Sequence, residues 1–395
     1  MKGAAVRALA TLWWVVGVAC GAALPGPAPA QVLPEAEPLA ADLREEVTRL
    51  SVTVKDLYGR SETRQIALTS FRPAGDGPFP LLVMNHGRAS SDRRAEQGRQ
   101  RYDVLARYLV AKGFAVFVPT RVGYGDTLGP FDPEDMGSCS QMRPQAAAAA
   151  AADQVLATVA HAKALPWVDA SRWVVMGQSV GGLAALAVVA RQPPGLVAAV
   201  NFAGGAGGSP DLRPGNPCSP LALSRLFETQ GATAPLPVLW IYWRNDRYWG
   251  ADWPRRWAQA WTDGGGRLDF HHLPDAGRDG HGGLRTAMDQ WVPLVETHLA
   301  AAGFTRSGLV PRPPASGHAA IDAIERVPLP PAQRERLYRR FLASPAPRAF
   351  AVGPDGAAGH ASGDWAAGRA LGFCQAARGA ACKLYAVDDD VVWVP

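Results

Sequence analysis

The chain has 395 residues, of which 48% are hydrophobic and 19% are charged. This composition excludes a globally disordered protein and leaves enough apolar material for a sizeable core. The formal net charge is +5 at pH 7, but the arginines are mostly isolated, so we expect no nucleic-acid partner. Five cysteines without zinc-ligand spacing exclude a disulfide-dense scaffold and a zinc finger.

The first 30 residues have the three parts of a secretion signal. Lys2 and Arg7 form a positively charged segment before an apolar stretch over residues 8–24, and residues 28–30 read Ala-Pro-Ala, which is typical of a cleavage site. We therefore predict a signal peptide over residues 1–30, export to the periplasm or the medium, and no membrane span after cleavage. An uncleaved membrane anchor and a lipid anchor at Cys20 are the alternatives.

Downstream of the signal, short apolar runs alternate with segments in which apolar residues recur at helical spacing. The predicted strands are residues 51–55, 64–71, 80–85, 114–119, 173–176, 197–202, 237–243 and 268–273. The predicted helices are residues 100–112, 145–164, 180–191, 253–262 and 284–299. Strands that alternate with helices pair in parallel through right-handed crossovers. The expected fold is therefore a three-layer α/β sandwich with a mostly parallel sheet.

A proline-rich stretch over residues 311–314 predicts a linker between two domains with few packed contacts across it. We assign residues 31–312 to the α/β domain with an N-terminal extension, and residues 315–395 to a small α+β domain. The elements predicted for the second domain are helices at 331–342 and 365–377, a strand at 348–352, and a hairpin of 383–387 and 391–394.

Four cysteines remain once the signal peptide has been removed. An even number of cysteines in an oxidising compartment predicts two disulfides. Cys374 and Cys382 lie close together in the small domain, so we pair them with each other and pair Cys139 with Cys218. Four free buried thiols are the alternative.

Residues 177–181 read Gly-Gln-Ser-Val-Gly and lie between a predicted strand and a predicted helix. A sharp strand–turn–helix of this kind exposes a serine hydroxyl above the sheet, so we predict Ser179 as a nucleophile. The backbone N–H of Val180 then faces the site where an oxyanion would form. The second oxyanion donor is expected in the loop after the third strand, and we choose the backbone N–H of Arg88.

A serine nucleophile needs a general base and an acid that orients the base. Asp246 follows the end of the strand 237–243, and His281 lies in a glycine-rich loop after the last strand of the sheet. We predict Asp246 as the acid and His281 as the base. Asp275 and Asp279 are alternative acids in the loop of His281, and the histidines at 271–272 are less suitable bases because they lie within a strand.

Four further side chains are expected at the substrate pocket. His86 and Tyr124 lie in loops that follow the third and fourth strands. His86 precedes the nucleophile in the chain, so we give it a supporting role in its loop. Tyr248 and Trp249 come directly after Asp246 and are expected at the pocket rim; the alternative is that they pack against the following helix.

These motifs together resemble the α/β-hydrolase superfamily and, within it, the dienelactone-hydrolase-like branch. The matching segments are residues 85–87, 121–125, 177–182, 245–246 and 280–282. Dienelactone hydrolases proper use a cysteine nucleophile, whereas this sequence has Ser179. The resemblance therefore implies a hydrolase of this fold whose substrate is not dienelactone.

The sequence predicts a serine hydrolase that cleaves small-molecule carboxylic esters through a Ser-His-Asp triad and an acyl-enzyme. It contains no clustered metal-ligand motif, so we expect no metal and no cofactor. Two other functions stay open. One is a catalytically inactive hydrolase fold that serves as a binding protein. The other is an envelope interaction protein that acts through its C-terminal domain.

Overall fold

The computed structural model describes residues 39–89, 93–308, 310, 312–363, 365–378 and 381–395. The predicted signal peptide and Cys20 lie outside the described residues. None of the helices within those ranges has both the length and the hydropathy that a bilayer crossing requires.

An eight-stranded sheet forms the centre of the larger part of the fold. Its strands are β1 (Glu46–Lys55), β2 (Ser61–Phe71), β3 (Phe79–Asn85), β4 (Ala115–Pro119), β5 (Val168–Gln178), β6 (Leu196–Phe202), β7 (Val238–Trp243) and β8 (Leu268–Leu273). Their order across the sheet is β1-β2-β4-β3-β5-β6-β7-β8. β2 pairs antiparallel with both β1 and β4, and the pairs from β4 to β8 are parallel.

Helices cover both faces of this sheet. They are α1 (Asp103–Ala111), α2 (Pro144–Lys163), α3 (Val180–Ala190), α4 (Pro220–Gly231), α5 (Trp253–Asp263), α6 (Gly283–Thr286) and α7 (Met288–Ala301). One apolar core lies under α2 to α5 and a second lies under α1, α6 and α7. Coverage on both sides explains why the central strands β3 to β7 are mostly apolar. The predicted three-layer α/β sandwich is confirmed, and α4 is a helix that the prediction missed.

The C-terminal residues form a small α+β domain, as predicted. Its elements are α8 (Pro331–Leu342), β9 (Arg348–Val352), β10 (Ala358–Ser362), α9 (Ala366–Arg378), β11 (Lys383–Val387) and β12 (Asp390–Val391). The strands form an antiparallel sheet in the order β10-β9-β11-β12. The prediction missed β10 because its side chains are small and have little strand propensity.

α9 of the small domain packs against α1 of the larger one. The ring of Trp365 lies edge-on to Tyr108 with the centroids 6.0 Å apart, and the Arg107 guanidinium donates to the Gln375 side chain at 2.9 Å. A Cβ at Gly372 would lie 3.5 Å from Val104. The linker therefore does not separate the two parts as far as the sequence predicted, and the boundary near residues 313–314 stays a prediction.

The structure contains both predicted disulfides. The Cys139–Cys218 bond, here called the long-loop disulfide, joins residues 79 positions apart. The Cys374–Cys382 bond, the short-loop disulfide, joins residues 8 positions apart. The long-loop disulfide closes a segment of chain that contains the predicted nucleophile.

Candidate functional site

Ser179 forms the turn between β5 and α3. Its backbone angles are φ 57° and ψ −123°, a region that residues with a side chain rarely adopt. Two backbone hydrogen bonds hold it there: its N–H donates to the carbonyl of Phe202 at 2.9 Å, and its carbonyl accepts from the N–H of Gly205 at 3.2 Å. The turn is therefore anchored to the end of β6, and it presents Ser179 at the carboxyl edge of the parallel strands.

The glycines around this turn are required by close packing. A Cβ on Gly177 would overlap the carbonyl of Gly181, and a Cβ on Gly181 would overlap the carbonyl of Asn85. A Cβ on Gly87 would lie 3.2 Å from the Cβ of Ser179. The loop after β3 therefore comes directly against the predicted nucleophile.

The structure brings His281 and Asp246 together. Nδ1 of His281 lies 3.0 Å from Oδ2 of Asp246. The other carboxylate oxygen of Asp246 accepts the backbone N–H groups of Tyr248 at 2.8 Å and Trp249 at 3.1 Å. Asp246 is only 2% exposed, so its carboxylate is fixed on one side by the backbone and directed to the imidazole on the other.

Tyr248 and Trp249 enclose the imidazole. The Tyr248 ring stacks on His281 at a centroid distance of 3.9 Å, and Trp249 meets it edge-on at 5.2 Å. The Trp249 indole N–H donates to the carbonyl of Ala203 at 2.7 Å, and the residue is 1% exposed. Tyr248 lines the cavity that opens beside Ser179 and His281, whereas Trp249 packs against His281 and is not part of the cavity lining.

The two alternative acids do not reach the imidazole. Asp279 accepts the backbone N–H groups of His281 and Arg247, both at 3.0 Å, and so shapes the loop. Asp275 contributes its backbone carbonyl to a 3.4 Å bond from Gln290. Among the three predicted candidates, Asp246 is the one whose carboxylate contacts the imidazole of His281.

The two predicted oxyanion donors have free N–H groups. Val180 is the first residue of α3, so its N–H has no partner within the helix. Within the described residues, no hydrogen bond is formed by the backbone N–H of Arg88. The Arg88 side chain forms a two-point ion pair with Asp132, at 3.2 and 2.5 Å, which holds this part of the loop in place.

His86 and Tyr124 are absent from the lining of the cavity beside Ser179 and His281, where the sequence predicted them. Both are fully buried. Nδ1 of His86 lies 2.7 Å from the carbonyl of Gly87, and Nε2 accepts the backbone N–H of Arg121 at 3.1 Å. The Tyr124 hydroxyl donates to Glu134 at 2.6 Å. Their loops do lie at the strand ends, as the sequence predicted. Both side chains, however, point into the protein interior, where they hydrogen-bond to neighbouring loop residues.

Burial lowers the pKa of His86 well below its usual value, and the nearby Arg121 guanidinium acts in the same direction. The neutral ring matches its contacts, because Nε2 must accept a hydrogen bond from Arg121 while Nδ1–H donates to Gly87. His86 therefore holds the loop after β3 to the loop after β4, which is the supporting role expected of it.

A cavity of about 400 Å³ opens beside Ser179 and His281. Most of its lining is polar, and it consists of Gly87, Arg88, Ala89, Gln97, Gln100, Tyr102, Asp103, Gln178, Ser179, Tyr248, His281 and Arg285. Its volume is in the range of small-molecule sites. In the part of the chain that the structure describes, no three His, Cys, Asp or Glu side chains form a metal-binding cluster.

Tyr102 and Gln178, in the wall of this cavity, form a chain of hydrogen bonds that the sequence did not reveal, here called the bridge. The Tyr102 hydroxyl accepts the N–H of Gly87 at 3.3 Å and donates to Oε1 of Gln178 at 3.0 Å. Nε2 of Gln178 donates to the backbone carbonyl of His281 at 2.9 Å. Burial raises the pKa of Tyr102, so the phenol keeps its proton. The bridge joins the loop after β3, the turn of Ser179 and the loop of His281.

Tyr102, a member of this bridge, has an unusual backbone conformation. It precedes α1 with φ 52° and ψ 40°, in the left-handed region that costs energy for a bulky residue. No local motif marks such a residue in advance. Gln178 is the second position of the glycine–serine motif, but its two partners lie 76 and 103 residues away.

Residues 98–282 match the sequence model of the dienelactone hydrolase family, and this segment contains Ser179, Asp246 and His281. No curated protein sequence matches the chain.

Among solved structures, the chain is similar to a Klebsiella pneumoniae protein assigned as a dienelactone hydrolase, with 17% identity and a TM-score of 0.43 over 65% of this chain and 99% of that one. It is also similar to acetyl xylan esterase 1 from Thermoanaerobacterium sp., with 16% identity and a TM-score of 0.44 over 67% and 90%. A puromycin-hydrolyzing peptidase from Mycobacterium tuberculosis aligns at 16% identity and a TM-score of 0.40, over 66% of this chain and 39% of that one.

Proposed function

We propose that this chain, an α/β-hydrolase of the dienelactone-hydrolase-like branch, cleaves carboxylic esters of small molecules through a serine nucleophile. Ser179 is the nucleophile, His281 the general base, and Asp246 the acid that orients His281. The observation that carries this proposal is the 3.0 Å contact between His281 Nδ1 and Asp246 Oδ2, beside a cavity that Ser179 and His281 both line.

The surroundings of Asp246 decide which imidazole nitrogen carries the proton. One of its carboxylate oxygens is occupied by two backbone N–H groups, so the other accepts the Nδ1–H of His281. Nε2 is then left unprotonated and can take the proton of the Ser179 hydroxyl. Stacking on Tyr248 restricts rotation of the ring, which preserves this orientation.

The reaction follows from these positions. Ser179 Oγ attacks the ester carbonyl as His281 Nε2 takes its proton, and the negative charge that forms on the carbonyl oxygen is held by the N–H groups of Val180 and Arg88. His281 then gives the proton to the leaving alcohol. A water molecule, deprotonated by the same imidazole, then attacks the acyl-enzyme. His281 returns this proton to Ser179 Oγ as its bond to the acyl carbon breaks, which releases the acid and restores the enzyme.

The test is ester hydrolysis by the Ser179→Ala variant. We expect a loss of about 10⁴-fold or more in kcat, with the urea unfolding midpoint unchanged. Ser171→Ala, at an exposed serine on the same strand, is the matched control and should keep full activity. A Ser179→Ala variant within tenfold of the wild type would refute the assignment. Failure of the folded wild type to react with a fluorophosphonate would favour a catalytically inactive binding protein instead.

We also propose that the protein is exported to the periplasm or the medium. The signal-like pattern of residues 1–30 and the two disulfides support this, since disulfides persist in oxidising compartments. The mature protein should begin at Gln31 when its N-terminus is sequenced after fractionation. A lipid-modified N-terminus at Cys20 would point to the anchored alternative.

A further inference from the structure

A second cavity, of about 290 Å³, lies beside the oxyanion donors. It shares Arg88 with the first cavity and is bounded by Val180, the residue after the nucleophile. Its lining includes neither His281 nor Tyr248. The two cavities therefore meet at the oxyanion donors, and the catalytic imidazole belongs to only one of them.

We propose that this second cavity is the acyl subsite and that it takes an uncharged, apolar acyl chain. The proposal rests on the ester hydrolysis proposed above. In that reaction His281 must protonate the leaving oxygen, so the alcohol part of the ester lies on the His281 side, in the first cavity. The carbonyl oxygen lies at the N–H groups of Val180 and Arg88. The remaining substituent of the carbonyl carbon, the acyl chain, then extends past these residues into the second cavity.

The walls of the second cavity suit an apolar group. They include Met136, Met142, Ala206 and the long-loop disulfide. Methionine and disulfide sulfur atoms are polarisable and offer no strong hydrogen-bond donor. An alkyl chain that enters this cavity therefore leaves water without losing a polar partner.

The charged groups at this cavity disfavour an acyl chain with a carboxylate. Glu134 is buried and its charge is compensated by the Arg121 guanidinium, which hydrogen-bonds to it. Asp135 accepts the N–H of Gly137 at 3.0 Å, and within the described residues it has no cationic partner. A second carboxylate placed beside Asp135 would be repelled.

The shape of the second cavity is held by close packing at Gly207. This residue has φ 77°, and a Cβ there would lie 2.9 Å from Cys218 Cβ and 3.0 Å from Met142 Sδ. The carbonyl of Gly207 accepts the N–H of Cys218 at 2.9 Å. The Ser219 hydroxyl donates to the carbonyl of Cys139 at 2.7 Å, which fixes the backbone beside the disulfide. Because these residues pack closely, the wall that contains Met142 should keep its position and limit the length of the acyl chain that fits.

Two series of esters measured with Met142 variants test the proposal. The first series keeps 4-nitrophenol as the alcohol and extends the acyl chain from acetate to octanoate. The second keeps the acetyl group and varies the aryl alcohol. Met142→Ala should raise the ratio of kcat/KM for hexanoate to kcat/KM for acetate about tenfold, since about two more methylenes become buried. Met142→Phe should lower the same ratio, and neither variant should change selectivity in the alcohol series. The wild type should also prefer 4-nitrophenyl butyrate to 4-nitrophenyl hydrogen succinate.

Met288→Ala is the matched control, because Met288 is buried in the opposite layer and lines neither cavity. Met288→Ala should leave the acyl ratio unchanged, whatever it does to stability. The proposal is refuted if the Met142 variants change alcohol selectivity instead, or if they change neither series while the esters are still hydrolysed. If the wild type hydrolyses none of the esters, the ester hydrolase assignment itself fails and the acyl subsite falls with it.

Discussion

Replacement of Gln178 by leucine should impair catalysis without removing any group that takes part in the chemistry. Gln178 connects the Tyr102 hydroxyl to the backbone carbonyl of His281. Leucine keeps a similar volume and loses both hydrogen bonds. An unsatisfied buried polar group costs about 1–3 kcal/mol. Because these groups border an open cavity, water can replace part of the lost hydrogen bonding. We therefore expect the catalytic position of His281 to be destabilised by about 1–2 kcal/mol, the lower end of that range. That is a decrease of roughly 5- to 30-fold in kcat.

Steady-state kinetics on a short 4-nitrophenyl ester, together with urea unfolding, would measure this effect. Gln178→Glu separates the two bonds, because a carboxylate still accepts from Tyr102 but cannot donate to the His281 carbonyl. If the bond to His281 matters, Gln178→Glu should lose about as much kcat as Gln178→Leu. Tyr102→Phe leaves that bond in place and should lose less. The reasoning would be refuted if Gln178→Leu kept kcat within twofold of the wild type while its stability fell.

Three other changes test the site and the fold. Asp246→Asn should lower kcat by about 10³- to 10⁴-fold because the wrong imidazole tautomer is favoured, and Asp279→Asn should lower kcat less. The reverse order in steady-state rates would show that the acid is wrongly assigned. Since burial holds the pKa of His86 well below its value of about 6.5 in the unfolded chain, the unfolded state alone takes up this proton below that pH. The free energy of unfolding should therefore fall on acidification below about pH 6.5, and His86→Gln should reduce the slope by up to about 1.4 kcal/mol per pH unit; an unchanged slope in urea titrations would contradict this. From loop length, the long-loop disulfide should stabilise the fold by about 4.5 kcal/mol and the short-loop disulfide by about 2.5 kcal/mol. Replacing the cysteines of the long-loop disulfide with serine should therefore lower the urea midpoint more than the same change at the short-loop disulfide. Equal shifts would contradict the loop-length argument.

Local patterns predicted those parts of the proposed site that depend on local geometry. The glycines on either side of Ser179 predict its turn, and the end of β7 predicts the loop that contains Asp246. α4 was open to prediction as well, because Leu223, Leu226 and Phe227 have helical spacing and are buried together.

Side-chain direction in the loops could not be predicted in the same way. A strand end places a loop at the site but does not say whether its side chains face the cavity, and His86 faces inward. The bridge through Tyr102 joins segments far apart in the chain, so its partners are known only once the fold has brought them together.

The contact between α1 and α9 has a consequence for how the molecule comes apart. α1 starts beside the cavity, directly after Tyr102, and its Tyr108 and Arg107 side chains are covered by the small domain. Loss of the small domain would therefore expose to water a helix that supports the cavity wall. We expect the two parts to melt in one cooperative transition in calorimetry, because unfolding of the small domain would also remove support from the cavity wall.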